Sequence, residues 1–306
     1  MSLAPSATVT QSSPVPPHPK LIVLFGATGQ LGGAIKRLFP AAVCIPWSNA
    51  QSFHPESLLT GNTRKPAIDF IFANGLTHSK APELELLASN YEFPKRFVEK
   101  FFGLNIGFQQ SAGDPLCRFL TFGTVTENFP EMVQANSYIR SKKRLRDWVE
   151  TQANEHPRMF RHIQLHTLYG GLPAPHMFLG QIAGALQNDA QFEMSSGEQL
   201  REYHHIDDIA RSVAALLAQD WVPNEPILTL SSGSTVQLRV LAQEIFSAFG
   251  KADHLKIGAL GRNSVEIMDQ VYAPSDPSLL VQTRDPVKGV IGFLREFLAT
   301  SVRKGL

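Results

Sequence analysis

Residues 21–32 read LIVLFGATGQLG, an apolar run that ends abruptly in three glycines spaced three residues apart. This pattern predicts a β-strand, a tight phosphate-binding turn and the start of an α-helix. Gly26 permits the sharp turn, Gly29 lets the backbone approach a pyrophosphate, and Gly32 lets the helix pack closely on the strand. The free N–H groups at the helix N-terminus would then hold the anion. Because glycine turns also occur without a ligand, the motif needs support from the rest of the chain.

Length and composition restrict the class of protein. With 306 residues, 43% of them hydrophobic, the chain can bury a sizeable core as one large domain or two closely packed ones. The 28 Lys and Arg against 27 Asp and Glu give a formal charge of +1, which provides no electrostatic footprint for nucleic acid. No apolar run approaches the roughly 18 residues of a membrane span. We therefore expect a small-molecule partner, with neither nucleic acid nor membrane.

The two cysteines indicate the compartment. Cys44 and Cys117 each lie in a short apolar stretch that is typical of a strand, so we interpret them as small buried hydrophobes and not as a disulfide. A reducing, cytoplasmic location follows as the default.

Alternating strand and helix patterns follow the glycine motif. The predicted strands after the first one are residues 41–46, 68–73, 117–122, 161–168 and 227–230. This alternation predicts an α/β fold, a Rossmann-type doubly wound parallel sheet with a smaller C-terminal substrate lobe. Residues 197–205 are expected to be irregular. The predicted divisions are a disordered leader over 1–19, a dinucleotide-binding core over 20–169 and 206–230, and a substrate lobe with a closing helix over 170–205 and 231–306.

The end of the second predicted strand bears on the choice of cofactor. In dinucleotide-binding folds an acidic residue at this place hydrogen-bonds the ribose 2′-hydroxyl. Here the strand runs into Trp47, Ser48 and Asn49, with no Asp, Glu or Arg among them. NAD(H) is therefore not selected, and we expect NADP(H) to be slightly favoured. Lys36 and Arg37 add weak support for this expectation, although their spacing is typical of a solvated helix face.

Tyr138 and Lys142 form a Tyr-x-x-x-Lys pair, which a helix predicted over 137–150 places on one side, one turn apart. A phenol with a pKa near 10 is a poor acid or base at neutral pH unless a cation stabilises the phenolate. Lys142 would supply that cation and could also bond the nicotinamide ribose. The alternative is a chance pair within a basic, solvated helix face.

Thr124 is the third candidate. It lies fourteen residues before Tyr138, just past the C-terminal end of a predicted strand, where open α/β sheets bind their ligands. Its hydroxyl could bond a substrate oxygen beside the tyrosine. Thr121 and Thr126 are alternatives for this role, and ordinary strand-end turn chemistry is the non-catalytic interpretation.

With these motifs in this order, residues 20 to about 300 resemble the extended short-chain dehydrogenase/reductase family, the NAD-dependent epimerases, dehydratases and reductases of nucleotide sugars. The resemblance implies a catalytic triad of Thr124, Tyr138 and Lys142 and a nucleotide-sugar substrate, with a homodimer left open. Its implied cofactor contacts are Gly26, Thr28, Gly29, Gln30, Leu31, Gly32, Ser48, Asn74, Tyr138 and Lys142.

One further segment, residues 197–208, resembles the family's connection from the substrate lobe back to the core. Arg201 is its candidate for a substrate phosphate, since a guanidinium binds phosphate oxygens in a planar fork. The His and Asp residues that follow match no zinc spacing, so we expect no metal.

The reaction predicted from this resemblance is NAD(P)-dependent reduction of a keto group on a nucleotide-linked sugar. Dehydratases of the family carry an Asp-Glu pair directly after the catalytic Thr, whereas Val125 and Thr126 follow Thr124 here and the first carboxylate is Glu127. Epimerisation and reduction of another carbonyl compound stay open. From a different class, the chain could be a dinucleotide-sensing protein without turnover, although a sensor has no need of the Tyr-Lys pair.

Overall fold

The computed structural model describes residues 20–50, 52–58, 67–76, 81–104, 117–223, 225–261, 265–280 and 284–304, so the predicted leader lies outside the described residues. The strands are β1 Lys20–Phe25, β2 Val43–Ile45, β3 Ala67–Phe72, β4 Cys117–Thr124, β5 Phe160–Leu165, β6 Thr167–Tyr169, β7 Phe192–Met194, β8 Leu200–His205, β9 Ile227–Thr229, β10 Thr235–Gln237 and β11 Leu255–Ile257. The helices are α1 Gln30–Leu38, α2 Trp47–Ala50, α3 Glu83–Leu87, α4 Phe93–Phe102, α5 Pro130–Ala135, α6 Ser137–Glu155, α7 Phe178–Gln187, α8 Ile206–Ala218, α9 Leu238–Ala248 and α10 Pro286–Lys304.

Six parallel strands form the main sheet, in the order β2-β1-β3-β4-β5-β9. This arrangement confirms the predicted doubly wound α/β fold. The strand order reverses between β1 and β3, and such a reversal opens a crevice at the carboxyl ends of the strands where open α/β sheets bind ligands. The glycine turn after β1 and the end of β4 both lie at this edge.

Each face of the main sheet is covered by its own apolar core. Phe93, Phe97 and Phe101 of α4 are buried on one face with Leu145 and Val149 of α6, so the aromatic stripe is core as its spacing predicts. On the other face, α1 and α8 pack on Leu24, Ile71, Leu120 and Ile163. The sheet is therefore buried on both sides, which agrees with the near-continuous apolar runs of β1 and β3.

The C-terminal half builds a second core over two small sheets, β10-β8-β6 and β11-β7. Its apolar residues come chiefly from α7, α9 and α10 and include Leu241, Ile245, Phe246, Val290 and Leu294. Strand β9 returns to the main sheet beside β5, as the discontinuous division of the chain supposes. The domain boundaries themselves stay an interpretation.

Two predictions about strands are wrong. Residues 161–168 do not form one strand, because the main-sheet strand β5 ends at Leu165 and β6 pairs with β8 in a different sheet. Residues 200–205, expected to be irregular, form β8. Alternating apolar residues did not mark this strand, because the polar side chains of Glu202 and His204 are buried in it.

Among the described residues, no helix is long and apolar enough to cross a membrane. Within the same ranges, no three His, Cys, Asp or Glu side chains are arranged to hold a metal ion. Both cysteines are free thiols, Cys117 buried in β4 and Cys44 half-buried in β2.

Candidate active site

The glycine turn is held tightly against the neighbouring strand end. Gly26 has φ of +83°, and a Cβ there would lie 2.4 Å from the backbone nitrogen of Asn74. A Cβ on Gly32 would lie 2.0 Å from the carbonyl oxygen of Gly26. Packing within the protein therefore requires both glycines, as the motif predicts.

Gly29 differs from these two glycines. Its φ is −74°, and an added Cβ would meet only the carbonyl oxygen of Gly26, at 3.3 Å. Gly29 is exposed and is the N-cap of α1, where no side chain caps the free N–H groups. The fold thus leaves open backbone donors and open space at Gly29, the arrangement that a pyrophosphate needs.

Three other residues of the turn are predicted to contact the cofactor. Thr28 and Gln30 are exposed and Leu31 is half-buried. The side-chain amide of Gln30 donates to the carbonyl of Leu172, and its atoms fill the space where a side chain on Gly171 would stand. Gln30 therefore clasps the loop after β6 to the glycine turn, a contact that the sequence did not reveal.

At the adenosine end, Trp47, Ser48 and Asn49 are exposed just after β2. The Ser48 hydroxyl donates to the Asn49 side chain at 3.0 Å, and the Trp47 ring packs edge-on against Phe93 at 5.3 Å. No carboxylate occurs in α2. Arg37 is paired with Asp207 at 2.6 Å, so its suggested support for NADP(H) is weakened.

Thr124 ends β4 and begins a short 3₁₀ turn over Val125–Asn128. Its backbone N–H donates to Glu127 Oε1 at 2.7 Å, while its hydroxyl accepts from the N–H of Thr126 and lies 2.9 Å from the Thr126 hydroxyl. This reciprocal capping box fixes the turn. The hydroxyl groups of Thr124 and Thr126 therefore lie side by side. Thr121, in contrast, is fully buried, and its hydroxyl lies next to His162.

Helix α6 presents Tyr138 and Lys142 to the same strand end. Asn136 caps the helix, and its side chain accepts from the N–H groups of Tyr138 and Ile139. Lys142 is buried, and its Nζ donates at 3.0 Å to the carbonyl of Phe122, two residues before Thr124. The structure thus places Lys142 close to the carboxyl end of β4 and rejects the solvated-face interpretation for this residue.

Burial changes the titration of both α6 groups. It lowers the pKa of Lys142 to about 8, an effect that the negative charge of Glu127 partly offsets. Burial, reinforced by the same charge, raises the pKa of Tyr138 above its usual range. Tyr138 is half-buried, and its raised pKa keeps the phenol protonated at neutral pH.

Asn90 and Gly75 complete this corner, and sequence reasoning missed the role of Asn90. It lies in a π-helical turn, Ala88–Glu92, between α3 and α4, and its amide donates to Ser141 Oγ at 2.9 Å and to the Leu76 carbonyl at 3.1 Å. A Cβ on Gly75 would lie 2.5 Å from Asn90 Oδ1 and 3.2 Å from Lys142 Nζ. Such π-turns recur at functional sites. The sequence signal available for Asn90 was that it is a polar residue within an otherwise buried helical face.

Two buried acceptors in this region have no partner within the described residues, Asn74 Oδ1 and Asn90 Oδ1. Unmade hydrogen bonds of buried groups are costly, so such atoms mark places where a ligand or water completes the structure. Together with the open face of Gly29, they fit a nicotinamide dinucleotide laid from the glycine turn to Lys142.

Arg201 lies elsewhere. Its guanidinium donates to the carbonyls of Leu200 at 2.8 Å and Ile267 at 2.7 Å, and it pairs with Glu266 at 3.4 Å. These bonds tie β8 to the segment that follows β11. The phosphate-binding role stays a prediction, and it would require the guanidinium to give up some of these partners.

His166 occupies the crossing from β5 to β6. Its side chain is fully buried, 3.6 Å from Glu202, with no hydrogen bond to either ring nitrogen in the described part of the chain. Burial lowers the pKa of His166 to about 4, so the imidazole is neutral at pH 7. From the sequence, His166 is only a departure from the resembled family, in which an Arg is common in the strand before Tyr169 and Gly170.

Comparison with known proteins shows the fold. No family model matches the sequence, and no curated protein matches it significantly. Among solved structures, the chain is similar to a UDP-N-acetylglucosamine 4-epimerase from Methanobrevibacter ruminantium in complex with UDP-N-acetylmuramic acid, at a TM-score of 0.71 and 12% identity over 92% of this chain and 99% of the other.

Two further similar structures bind a nicotinamide cofactor. One is RMD from Pseudomonas aeruginosa complexed with NADPH (TM-score 0.66, 14% identity, 92% of this chain and 98% of the other). The other is a dTDP-glucose 4,6-dehydratase from Streptomyces venezuelae with NAD bound (TM-score 0.64, 14% identity, 90% and 97%). The chain thus has the fold of these nucleotide-sugar enzymes, which confirms at the level of fold the resemblance seen in the sequence.

Proposed function

We propose that this chain is an NAD(P)-dependent oxidoreductase of the extended short-chain dehydrogenase/reductase type that reduces a keto group on a nucleotide-linked sugar. One observation carries the proposal: Lys142, the lysine of the Tyr-Lys pair in α6, donates from Nζ at 3.0 Å to the Phe122 carbonyl, two residues before Thr124 at the end of β4. The similar structures are a nucleotide-sugar epimerase, a dehydratase and a structure with NADPH bound, which supports the substrate class and the cofactor.

The chain's own groups take distinct roles in the proposed reaction. Tyr138 donates a proton to the substrate oxygen, and the ammonium of Lys142 stabilises the phenolate that remains. The Thr124 hydroxyl bonds the same oxygen and orients it. A bound nicotinamide supplies the hydride for the carbon that carries this oxygen. Gly29 and the first N–H groups of α1 hold the pyrophosphate, and Asn74 lies along the path to Lys142.

The position of Glu127 argues against dehydration. Its side chain is 0% exposed and paired with His162 at 3.2 Å, so the carboxylate faces the protein interior and not a substrate. Dehydration requires a base that removes a proton beside the keto group. With no carboxylate on the substrate side of this turn, reduction and epimerisation are the two reactions that the triad supports.

The decisive experiment incubates the purified protein with a 4-keto nucleotide sugar and NADPH. Reduction consumes one cofactor for each sugar converted, which absorbance at 340 nm and mass spectrometry of the product measure together. Loss of water from the sugar would contradict the proposal. In a second incubation, conversion of a 4-hydroxy nucleotide sugar into its C4 epimer with NAD(P)+ and no net change in the cofactor would support the second candidate, epimerisation, which the 4-epimerase among the similar structures favours.

A dinucleotide sensor without turnover remains the alternative from another class. The burial of the Lys142 ammonium close to the carboxyl end of β4 supports catalysis, because a binding protein has no need of a buried Tyr-Lys pair. Binding of cofactor without any turnover across a panel of nucleotide sugars would favour the sensor. The homodimer and the cytoplasmic location stay predictions.

A further inference from the structure

A pair of fully buried, ionisable side chains lies beneath Thr124. Glu127 and His162 are both 0% exposed, and Glu127 Oε2 lies 3.2 Å from His162 Nε2. The other carboxylate oxygen accepts the backbone N–H of Thr124 at 2.7 Å. Gln164 Nε2 also donates to Oε2, at 3.3 Å. One carboxylate therefore joins the turn after β4 to two side chains of β5.

The far side of the imidazole is also bonded. The Thr121 hydroxyl donates to the Arg161 carbonyl at 3.3 Å, so at 2.8 Å it can accept a hydrogen from His162 Nδ1. Both ring nitrogens of His162 and both carboxylate oxygens of Glu127 therefore have a hydrogen-bonding partner. Buried ionisable groups persist only when their hydrogen bonds are satisfied.

Gly123 makes room for this pair. A Cβ on Gly123 would lie 2.0 Å from Glu127 Oε1 and 2.2 Å from His162 Nε2. Gly123 lies within β4 and is not among the glycines with positive φ, so its backbone would accept any residue. The glycine is therefore required by the pair that fills the space in front of it.

The charged and titratable groups around the carboxylate come from two elements. His162 contacts it from β5, and the charge of Glu127 raises the pKa of both Lys142 and Tyr138, which lie on α6. Arg146 of α6 lies one step further away, bonded to Asn128 at 2.7 Å. Replacing a buried ion pair by apolar residues is often neutral or stabilising, so the pair is not explained by stability alone.

We propose that Glu127 and His162 act as positioning residues for the active site, holding the turn that carries Thr124 and keeping a negative charge behind Lys142 and Tyr138. The inference rests on the proposed function. It assigns a role to residues outside the triad. The carboxylate contacts neither substrate nor cofactor and acts through Thr124, Tyr138 and Lys142.

Glu127→Gln is the first test, with Glu131→Gln as the matched control, because Glu131 is exposed on α5 close by in sequence. We expect Glu127→Gln to lower kcat about tenfold to 10²-fold with little change in KM, the scale of a small misplacement of a catalytic group. The alkaline limb of its kcat–pH profile should move down by about one pH unit, because a lost negative charge weakens the ammonium of Lys142. The control should match the wild type in both measurements.

Gly123→Ala is the second test, because it displaces the pair while keeping both polar groups. We expect the same loss of kcat. Amide hydrogen exchange of peptides over residues 122–128 provides a readout that needs no substrate, and protection there should fall in both Glu127→Gln and Gly123→Ala.

The outcomes separate the two proposals. A wild-type protein without turnover on any keto sugar contradicts the proposed function, while hydrogen exchange still tests whether the pair holds the turn. If Glu127→Gln keeps the kcat and pH profile of Glu131→Gln, or if protection over 122–128 is unchanged, the positioning role is wrong.

Discussion

The two ends of β4 carry different kinds of buried polar cluster. At its amino end, Arg118 pairs with Asp69 of β3, and at its carboxyl end Thr124 stands over Glu127 and His162. Both clusters are buried within the main sheet. They differ in their surroundings, because only the carboxyl end has Asn74 and Asn90 nearby, whose buried side-chain oxygens have no partner within the described residues.

At the amino end, all three nitrogens of the Arg118 guanidinium donate hydrogen bonds. Arg118 forms two bonds of 2.6 Å with the two oxygens of Asp69 and donates to the carbonyls of Leu217 and Gln219. Its guanidinium also lies over the Trp221 ring, 4.6 Å from the centroid. Each nitrogen of this guanidinium therefore has a partner, and the cluster joins the end of α8 to the amino end of β4.

At the carboxyl end hydrogen-bonding capacity is left over. Asn74 Oδ1 and Asn90 Oδ1 have no partner within the described residues, and Gly29 faces open space. Because buried polar groups are normally satisfied, unused capacity gathered at one edge of a sheet indicates a ligand site. The comparison therefore separates a structural end from a functional one without reference to any relative.

The largest expected effect is on cofactor binding. Gly29→Val should abolish detectable binding of NADPH while leaving the protein folded, because the new side chain occupies the space that a pyrophosphate needs. Calorimetric titration measures the affinity, and circular dichroism checks the fold. Gly184→Val on α7, where an added Cβ meets nothing within 4 Å, is the control. Unchanged affinity in Gly29→Val would remove the phosphate-turn interpretation.

A substitution at the amino end of β4 should lower stability and not cofactor affinity. Arg118→Leu leaves Asp69 as an uncompensated buried charge and should lower the free energy of unfolding by about 3–5 kcal/mol. Urea denaturation measures this loss. The folded fraction should keep normal cofactor affinity, and the double variant Arg118→Leu with Asp69→Leu should recover much of the stability. A loss of stability near zero in the single variant would show that the two ends do not differ as described.

Tyr138→Phe should lower kcat by about 10² or more, the usual scale for losing a general acid, while cofactor affinity stays the same. Steady-state kinetics and a binding titration separate the two effects. Tyr91→Phe serves as the control, since Tyr91 packs beside Lys95 and Arg144 on the outer side of α4 and α6. Turnover near that of the wild type would mean that the phenol has no role in the chemistry.

Activity should also depend on the protonation of Lys142. Its folded-state pKa is lowered to about 8, so the ammonium is present below that pH and is lost as the pH rises through it. We expect kcat/KM for reduction to fall above about pH 8, because this parameter reports the free enzyme. Lys142→Arg, if active, should lose this limb. A flat profile to pH 10 would contradict the assignment.

The smallest expected effect concerns the choice of cofactor. With no carboxylate in Trp47–Ala50 to repel a 2′-phosphate, NADPH should bind at least as well as NADH. Ser48→Asp should shift the preference towards NADH by placing a carboxylate there. Tight binding of NADH with no detectable binding of NADPH by the wild type would overturn this prediction.

Local motifs account for the parts of the site that the sequence predicted. Gly26, Gly29 and Gly32 lie within one turn, and Tyr138 and Lys142 are four residues apart on one helix, so short-range spacing alone places them. The parallel sheet likewise follows from the alternation of apolar strands and helices.

The missed parts depend on long-range partners. Glu127 meets His162 only because the parallel register pairs Thr124 with Leu165, and this register cannot be deduced from either segment alone. Strand β8 was not recognised because Glu202 and His204 are polar residues that become buried, bonded to each other and, through Glu202, to Ser231. The strand break at His166 was missed because the apolar pattern continues through a change of sheet.

The return of β9 has a consequence for the order in which the protein is made. Residues 227–229 complete the main sheet by pairing with His162, Ile163 and Gln164, yet the ribosome delivers them only after β6, β7, β8 and α8 have been synthesised. Until then β5 is an edge strand with unpaired backbone groups, the feature that invites association with other chains. The nascent chain therefore passes through a stage at which its core is exposed along one side, and chaperones that shield strand edges should matter more for its biogenesis than for its finished form.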